Sequence, residues 1–512
     1  MGAPQLRWHR RNASAGEIAG QRVVTAAEMR DAETKLFARG TPSFDVMNQA
    51  GRAVVAAIQS RWPGRFERAV VLCGPGNNGG DGFVIAAELA ALGWSVRLAA
   101  ALPRNGYRGD AAVASALWGG EIEELRPGLL NEIVDGDTVV VDAIFGIGLS
   151  RPLDGTVKAV FEELDDLGCP VVAVDVPSGV DADTGAILGA APRAALTVTF
   201  GWPKPGHLLL PGRDRIGDLA IADIGCRDAD LPSGSPSARV NGRPIWHPAL
   251  PIPQASDHKY TRGHAVVIGG VEMPGATRLA SRAARRIGIG MLTVAAPGSV
   301  HSVYLADQPG LILRDIGELL PLLGDRRVTA ILVGSGLPPS ADTRAWVVAA
   351  AASGRSMVID GGGLTAFADD SRALTRYGRA DIVLTPHEGE FGRLFPHLKD
   401  MPGKLARTRT AAAESRCTII LKGADTVVAA PDGQAVINLD APAWLATAGS
   451  GDVLAGLTTG LLGQGMPPFE AAAAAVSLHG MAGAACGPGL IAEDLPEQLP
   501  GLLRQLMEPD AD

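Results

Sequence analysis

Cysteine is scarce in this 512-residue chain. The five are Cys73, Cys169, Cys226, Cys417 and Cys486. They are too scattered for a Cys-x-x-Cys metal or redox pair, and an odd number so widely spread argues against a disulfide framework. They read as small buried side chains of a protein kept in a reducing compartment, expected here to be the cytoplasm. Aromatic residues make up only 4%, a poor supply for stacking nucleobases. Basic charge is not in excess either: 46 Lys and Arg against 55 Asp and Glu leave a net charge of −9. Broad nucleic-acid binding needs a basic footprint, so no nucleic-acid partner is expected. No apolar run reaches the length that spans a bilayer, so no membrane partner is expected. The opening stretch, MGAPQLRWHRRNASAGEIAG, lacks the apolar core of a signal peptide and reads as a loose N-terminal extension. Leu6 stands where a myristoylation signal needs Ser or Thr.

What is abundant is glycine and proline, 65 and 36 residues, without a collagen-like period. They punctuate many short elements. Apolar runs recur at 69–73, 138–142, 171–176, 265–268, 330–333, 356–360, 382–384 and 418–421, each followed by a Gly-rich turn and a helical pattern. Strands without polar alternation are covered on both faces, and their alternation with helices predicts an α/β fold with largely parallel sheets. In 275–290, Leu279, Ala280, Ala283, Ala284 and Ile287 share one helix face, and four arginines lie opposite as a solvated surface. The Pro-, Ser- and Gly-rich stretch 228–256 lacks periodicity and divides the chain. About 210 residues precede it and about 260 follow, each enough for one domain. The halves share no motifs, so two different α/β domains are expected.

In the first half, the run AVVLCGPG leads into Asn77, Asn78, Gly79, Gly80, Asp81 and Gly82, then an apolar helix expected over 83–92. A Gly-rich turn before a helix exposes N–H groups suited to phosphate. The pattern is not the GxGxxG dinucleotide fingerprint. A generic capped turn is the structural alternative, weakened by two Asn and an Asp within six residues. Two further strand ends are polar. One closes in Asp142, before the loop Gly146, Ile147, Gly148, Leu149, Ser150, Arg151 and Pro152; the other reaches Asp175 before Pro177-Ser178-Gly179. Parallel sheets gather such residues at one rim. Oxygen-bearing side chains of this kind suit a hard cation.

The succession NNGGDG, DAIFG, DVPSGVDADTG closely resembles the NAD(P)H-hydrate epimerase domain over 22–228. The resemblance implies that 77–82 and 146–152 hold the hydrated dinucleotide. It implies a potassium ion on Asn78, Asp142 and Ser178, and contact of Asp175 with the damaged nicotinamide ring during epimerisation. Where many members carry an aromatic and a Lys, this chain has Leu149-Ser150-Arg151-Pro152, in which Arg151 keeps a positive charge.

In the second half, Ala446-Thr447-Ala448-Gly449-Ser450-Gly451-Asp452 opens a helix expected over 453–462. Small residues there let N–H groups surround an anion, and Asp452 is placed to take a proton from a hydroxyl. An Asp favoured by the helix dipole is the structural alternative. Lys422, Gly423, Ala424, Asp425 and Thr426 follow a strand and suit a nucleotide phosphate, or else form a hairpin turn with an exposed Lys. His387 stands at another strand end beside Glu388 and Glu390, where a substrate contact is expected. Gly334-Ser335-Gly336-Leu337 permits close approach.

HKYTRGHAVVIGG, PGATRLASRAARRIGIGMLTVAAP, LTPHEGE, LKGADTVV and ATAGSGDVLAG, in that order, resemble the ADP-dependent NAD(P)H-hydrate dehydratases over 243–508. Those have a ribokinase-like fold. The resemblance implies that the hydrate's hydroxyl is phosphorylated from ADP with Mg2+ and phosphate is then eliminated, with release of AMP. Asp452 would be the base. Ala276, Gly336, His387 and Asp452 would contact the hydrate, and Lys422, Gly423, Ala424, Asp425, Thr426 and Gly451 the nucleotide. Gly362 stands where members often carry a second acid two residues after Asp360, and no metal role is given to that loop.

The sequence thus leads to an N-terminal extension (1–21), a Rossmann-like parallel α/β sandwich (22–228), a linker (229–242) and a ribokinase-like α/β domain (243–508). The expected function is bifunctional repair of hydrated NADH and NADPH by a cytoplasmic homo-oligomer. The alternative is a ribokinase-like small-molecule kinase with a non-catalytic N-terminal binding module.

Overall fold

The computed structural model describes residues 4–10, 15–232, 238–306, 308–368 and 370–507. Residues 1–3 and 11–14 of the expected extension, 233–237 of the expected linker and residue 508 lie outside them. The chain forms two compact units, Met1–Ser235 and Pro236–Asp512. Among the described residues, no helix is long and apolar enough to cross a membrane.

The first unit is built on an eight-stranded sheet. Across it run Leu6–His9, Asp218–Ala222, Leu196–Phe200, Val171–Val174, Thr138–Ala143, Arg68–Cys73, Ser95–Ala100 and Glu123–Glu124. All neighbours are parallel except the first pair. The stretch expected to be loose therefore contains an edge strand, with Leu6 opposite Ala222 and His9 opposite Leu219. Its four residues carry no helix- or turn-forming pattern, and the sheet edge they complete lies more than two hundred residues away. The central strands are buried on both faces. Val71, Cys73, Val139, Val141 and Val172 point into one cluster, and Val70, Leu72, Val140 and Val171 into another.

The helix after Cys73 spans Asn77–Ala91, so the NNGGDG motif forms its first two turns rather than a turn ahead of it. The glycines explain why. A Cβ on Gly79 would lie 1.9 Å from the Gly74 carbonyl oxygen, and one on Gly82 would lie 2.7 Å from Cys73 Sγ. Without side chains there, the helix start sits directly on the strand ends.

In the second unit the strands run Ile312–Asp315, Met291–Ala296, His264–Ile268, Ala330–Val333, Ser356–Ile359, Ile382–Leu384 and Thr418–Leu421, all parallel. The sheet continues antiparallel through Val427–Ala429 and Ala435–Ile437, and Ala238–Val240 joins parallel to the last of these. The helix Ser450–Gly463 packs on the helix Pro274–Arg286 through small residues. A Cβ on Gly456 would meet the Ala280 carbonyl oxygen at 2.1 Å, and one on Gly460 would meet Ile287 Cγ2 at 2.3 Å. This approach sets where Asp452, in the first turn, stands relative to Ala276.

Gly456→Ala inserts a methyl group against main chain that cannot yield. It is expected to destabilise the second unit by about 1–3 kcal/mol, read as a lowered melting temperature of that unit's transition.

Candidate functional sites

Each unit gathers its polar residues at the carboxyl ends of its parallel strands, where the sheet stops and backbone N–H groups of the following helices are free.

In the first unit, Asp142 closes its strand fully buried. Ser178 donates to it twice, from its N–H to Oδ2 (2.8 Å) and from its hydroxyl to Oδ1 (2.7 Å). Phe145 N–H donates to Ser178 Oγ at 2.8 Å, tying the 142–147 loop to the 175–178 turn. Burial raises the Asp142 carboxyl to about 6, against the lowering effect of the Ser178 bonds. Asn78 Oδ1 and Asp175 Oδ2 lie about the Cα of Gly146, within 3.0 and 2.9 Å of where a Cβ would stand. A side chain at 146 would push these two oxygens aside.

Asp175 follows its strand in the left-handed region, at φ 64°, which non-glycine residues enter uncommonly, Asp more readily than most. Its turn is what ends the strand at Val174 rather than at the expected Val176. Its Oδ1 accepts from Lys204 Nζ (2.9 Å) and Thr199 Oγ1 (3.0 Å); its Oδ2 accepts from Ile147 N–H (3.2 Å). Burial pushes the Asp175 carboxyl up, but the Lys204 ammonium and these hydrogen bonds outweigh it and hold it below the usual range. Asp81 behaves oppositely. Burial and the negative charges of Asp175 and Glu33 raise it well above a normal carboxyl. The surroundings therefore push these two buried carboxyls in opposite directions.

The structure brings Asn78, Gly146, Ile147 and Asp175 together, and Asp142 with Ser178. Asn77 is exposed, Gly79 and Gly80 are buried under the helix start, and Gly148, Ser150, Arg151 and Pro152 are exposed with Leu149 half-buried. The donors of Asn78, Asp142 and Ser178 are oxygens with a single carboxylate among them, a set that fits a monovalent hard cation. Sequence reasoning missed Lys204, Thr199 and His207. A lone Lys reads as surface, and the available signal was its isolation: it is the one Lys, Arg, Asp or Glu between Arg193 and Arg213.

In the second unit, Asp360 is the buried anchor. Lys422 Nζ donates to its Oδ1 at 3.0 Å, Thr385 Oγ1 to the same oxygen at 2.6 Å, and Ser335 Oγ to Oδ2 at 3.2 Å. Lys422 is thus not the exposed turn lysine of the structural alternative. Glu390 stands 3.9 Å from the same ammonium. Burial lowers the Lys422 ammonium, but Asp360 and Glu390 more than offset it and hold the group above its ordinary value. Asp452 is raised to about 6 by burial and then by the charge of Asp360, against a hydrogen bond from Ser335 and the charge of Lys422. A carboxyl with that value switches between base and acid near neutrality.

The helix carrying Asp452 starts at Ser450, after Gly449 at φ 90°. Beneath it is a cavity of about 260 Å³ lined by Lys422, Gly423, Ala424, Thr426, Gly451 and His479, among others. Asp425 is not among its lining residues and instead accepts from Lys404 Nζ at 2.7 Å. The 422–426 segment is the hairpin between two antiparallel strands. Ala276 and Gly336 adjoin, a Cβ on Gly336 lying 3.2 Å from that of Ala276. His387 caps the helix Glu388–Leu394: its Nδ1 accepts from Gly389 N–H at 3.0 Å, leaving the half-exposed Nε2 edge toward Glu390. At Gly362 a Cβ would strike the Leu337 carbonyl oxygen at 1.9 Å, so the close loop packing here leaves no room for an acid. Sequence reasoning did not find Ser335, Thr385 or Lys404 as partners of these groups, because nothing local marks side chains that meet across strand ends.

Comparison with known proteins covers both units. Residues 265–499 match the family model described as NAD(P)H-hydrate dehydratase, and residues 43–206 match the YjeF-related protein N-terminus. A bifunctional NAD(P)H-hydrate repair enzyme from Moorella thermoacetica is 36% identical over 95% of this chain and 97% of that protein. One from Thermofilum pendens is 35% identical over 94% and 96%. The solved ADP/ATP-dependent NAD(P)H-hydrate dehydratase from Bacillus subtilis, crystallised with ATP and Mg2+, is 27% identical, with a TM-score of 0.46; the match covers 54% of this chain and 100% of that one.

Lys404→Met takes the ammonium from Asp425 inside the hairpin. It is expected to cost about 1.5–3 kcal/mol, measurable by thermal unfolding, with faster amide exchange confined to 422–426.

Proposed function

The chain belongs to the bifunctional NAD(P)H-hydrate repair enzymes, and we propose that its two rims act in turn on one damaged cofactor. The Met1–Ser235 unit interconverts the R and S hydrates of NADH and NADPH. The Pro236–Asp512 unit dehydrates the S form with ADP, releasing AMP and phosphate. The observation that carries this reading is the presence in one chain of two separate polar rims, one centred on Asp175, whose carboxyl is held below the usual range, and one on Asp452, in the first turn of the helix whose start lines a cavity of about 260 Å³.

Water adds to the reduced ring with the hydroxyl on the carbon beside the ring nitrogen. Inversion there requires the hydroxyl to leave with a proton and water to return on the other face. Asp175 is the acceptor for the entering water's proton, and protonated Asp81 supplies one to the departing hydroxyl. Asn77, Asn78, Gly79, Gly80 and the 146–152 loop hold the dinucleotide, with helix-start N–H groups and Arg151 toward its phosphates. Asn78, Asp142 and Ser178 would hold a potassium ion, which would supply positive charge to the site.

In the second unit Ala276, Gly336 and His387 seat the S hydrate against Asp452. Asp452 takes the hydroxyl proton as that oxygen bonds to the terminal phosphorus of Mg-ADP and the bond to AMP breaks. N–H groups at Ser450 and Gly451 and the Lys422 ammonium stabilise the phosphoryl group. Departure of phosphate with loss of the neighbouring ring proton restores the double bond. The reading also places the enzyme in the cytoplasm as a homo-oligomer.

Incubating the chain with mixed NADH-hydrate epimers and Mg-ADP is expected to return both to NADH, with release of phosphate. Return of the S epimer alone would reduce the first unit to a binding module. A stable phosphate ester in place of NADH would replace repair by a small-molecule kinase. Asp175→Ala is expected to abolish return of the R epimer and spare the S.

Because Asp452 must be ionised to accept the proton, dehydration is expected to fall as pH drops through about 6. Asp360→Asn removes a negative neighbour, which lowers the Asp452 pKa. The acid limb of the S-hydrate rate profile is then expected to move to lower pH.

A further inference from the structure

Lys204 is the one lysine of the first unit with no exposed surface at all, and nothing in the proposed reaction uses it. Its ammonium is saturated by three acceptors: Asp175 Oδ1 at 2.9 Å, Thr199 Oγ1 at 2.8 Å and the Phe200 carbonyl at 3.0 Å. It has no free donor for a substrate and no path to one. Its main-chain N–H donates to His207 Nδ1 at 3.0 Å. That fixes the His207 proton on Nε2, which donates to the main-chain carbonyl of Asp175 at 2.8 Å. His207 is also fully buried, and burial and the Lys204 charge lower it to about 4. The ring is neutral throughout the working range, so it is a fixed strut rather than a switch.

The short segment 204–207 thus grips Asp175 at two points, the carboxylate through Lys204 and the main chain through His207. The grip is unequal across the carboxylate. Oδ1 is turned inward to Lys204 and Thr199, and Oδ2 is left at the rim beside Gly146, under the Ile147 N–H. The main-chain bond holds the left-handed conformation from which Oδ2 faces that way.

We propose that Lys204 and His207 are positioning residues of the first site: Lys204 holds Asp175 as an inward-anchored carboxylate with Oδ2 alone presented to substrate, and His207 fixes the strained main chain that aims it. This rests on the reading of Asp175 as the proton acceptor of epimerisation. The remaining ionisable groups around the pair are Glu33 and Arg30 on the helix Ala26–Ala38, Asp81 on the helix Asn77–Ala91, and Cys226. Lys204 is the cation whose charge counts most for Asp175.

The test uses the full chain, with R-hydrate return reporting the first site and S-hydrate return serving as an internal control in the same molecule. Lys204→Met is expected to leave KM for the R hydrate within about twofold while kcat falls by about threefold or more at pH 5.5 and much less at pH 7.5. The acid limb of its pH profile should move up by about one to three units, the effect of an opposite charge at this distance. Activity would therefore recover partly at alkaline pH, which a merely structural lesion would not produce. Thr199→Val, an isosteric change that removes one donor to Oδ1, should move the limb the same way by less. It decides the matter if Lys204→Met melts the unit. His207→Gln should lower kcat with the limb unmoved. An acid limb unshifted in both Lys204→Met and Thr199→Val, while Asp175→Asn is inactive, would overturn the positioning role and leave Asp175 as base. Full activity of Asp175→Asn would instead remove the reading beneath it.

Discussion

A carboxylate buried at the end of a parallel strand has lost its water, and a cation buried beside it offsets that loss. Both units of this protein are arranged around that constraint. Asp175 is paired with Lys204, and Asp360 with Lys422. In each case the lysine arrives from a different strand end, and hydroxyls complete the shell, from Thr199 in one unit and from Thr385 and Ser335 in the other. Removing one partner of such a pair leaves a charge that the interior cannot solvate. The pairs therefore bind the strand ends together and, in doing so, fix the acid–base chemistry of the rim. The two units use the same device to opposite effect. In the first, the cation sits on Asp175 itself and keeps it ionised. In the second, the cation sits on Asp360, and the neighbouring Asp452 is raised to about 6 by burial and then by the negative charge of Asp360.

Glycine carries the second constraint, close approach of main chain. Gly79 and Gly82 let the first turns of a helix rest on the strand ends, which brings Asn78 to the rim. Gly456 and Gly460 do the same between two helices of the second unit and set Asp452 over its cavity. Gly146 lies between Asn78 and Asp175, where an added side chain would press on both polar tips. In each instance the glycine is needed because another atom occupies the space of its Cβ.

The α/β class, most of the strands and the strand-end location of the polar residues were legible in the sequence, for a physical reason. Apolar runs without alternation have to be covered on both faces, and the polar residues that interrupt them have to lie where the sheet ends. The runs at 330–333, 382–384 and 418–421 coincide with the strands seen. Motif order was specific enough to indicate the family. Less legible was anything that depends on a distant partner. The edge strand Leu6–His9 has no signature of its own, and the helix beginning at Asn77 looked like a turn because three glycines in six residues normally make one.

What the sequence determined alone is therefore chemical inventory and period: which groups are present, how far apart along the chain, and which runs are buried. Tertiary structure decided pairing and protonation. Lys204 and Asp175 are 29 residues apart, Lys422 and Asp360 are 62. No local pattern says that either lysine turns inward, that Asp425 turns away to Lys404, or that the Asp81 carboxyl is pushed up while that of Asp175 is held down. Those outcomes follow from the local dielectric and from charges at three to four ångströms, and both exist only once the strand ends have met.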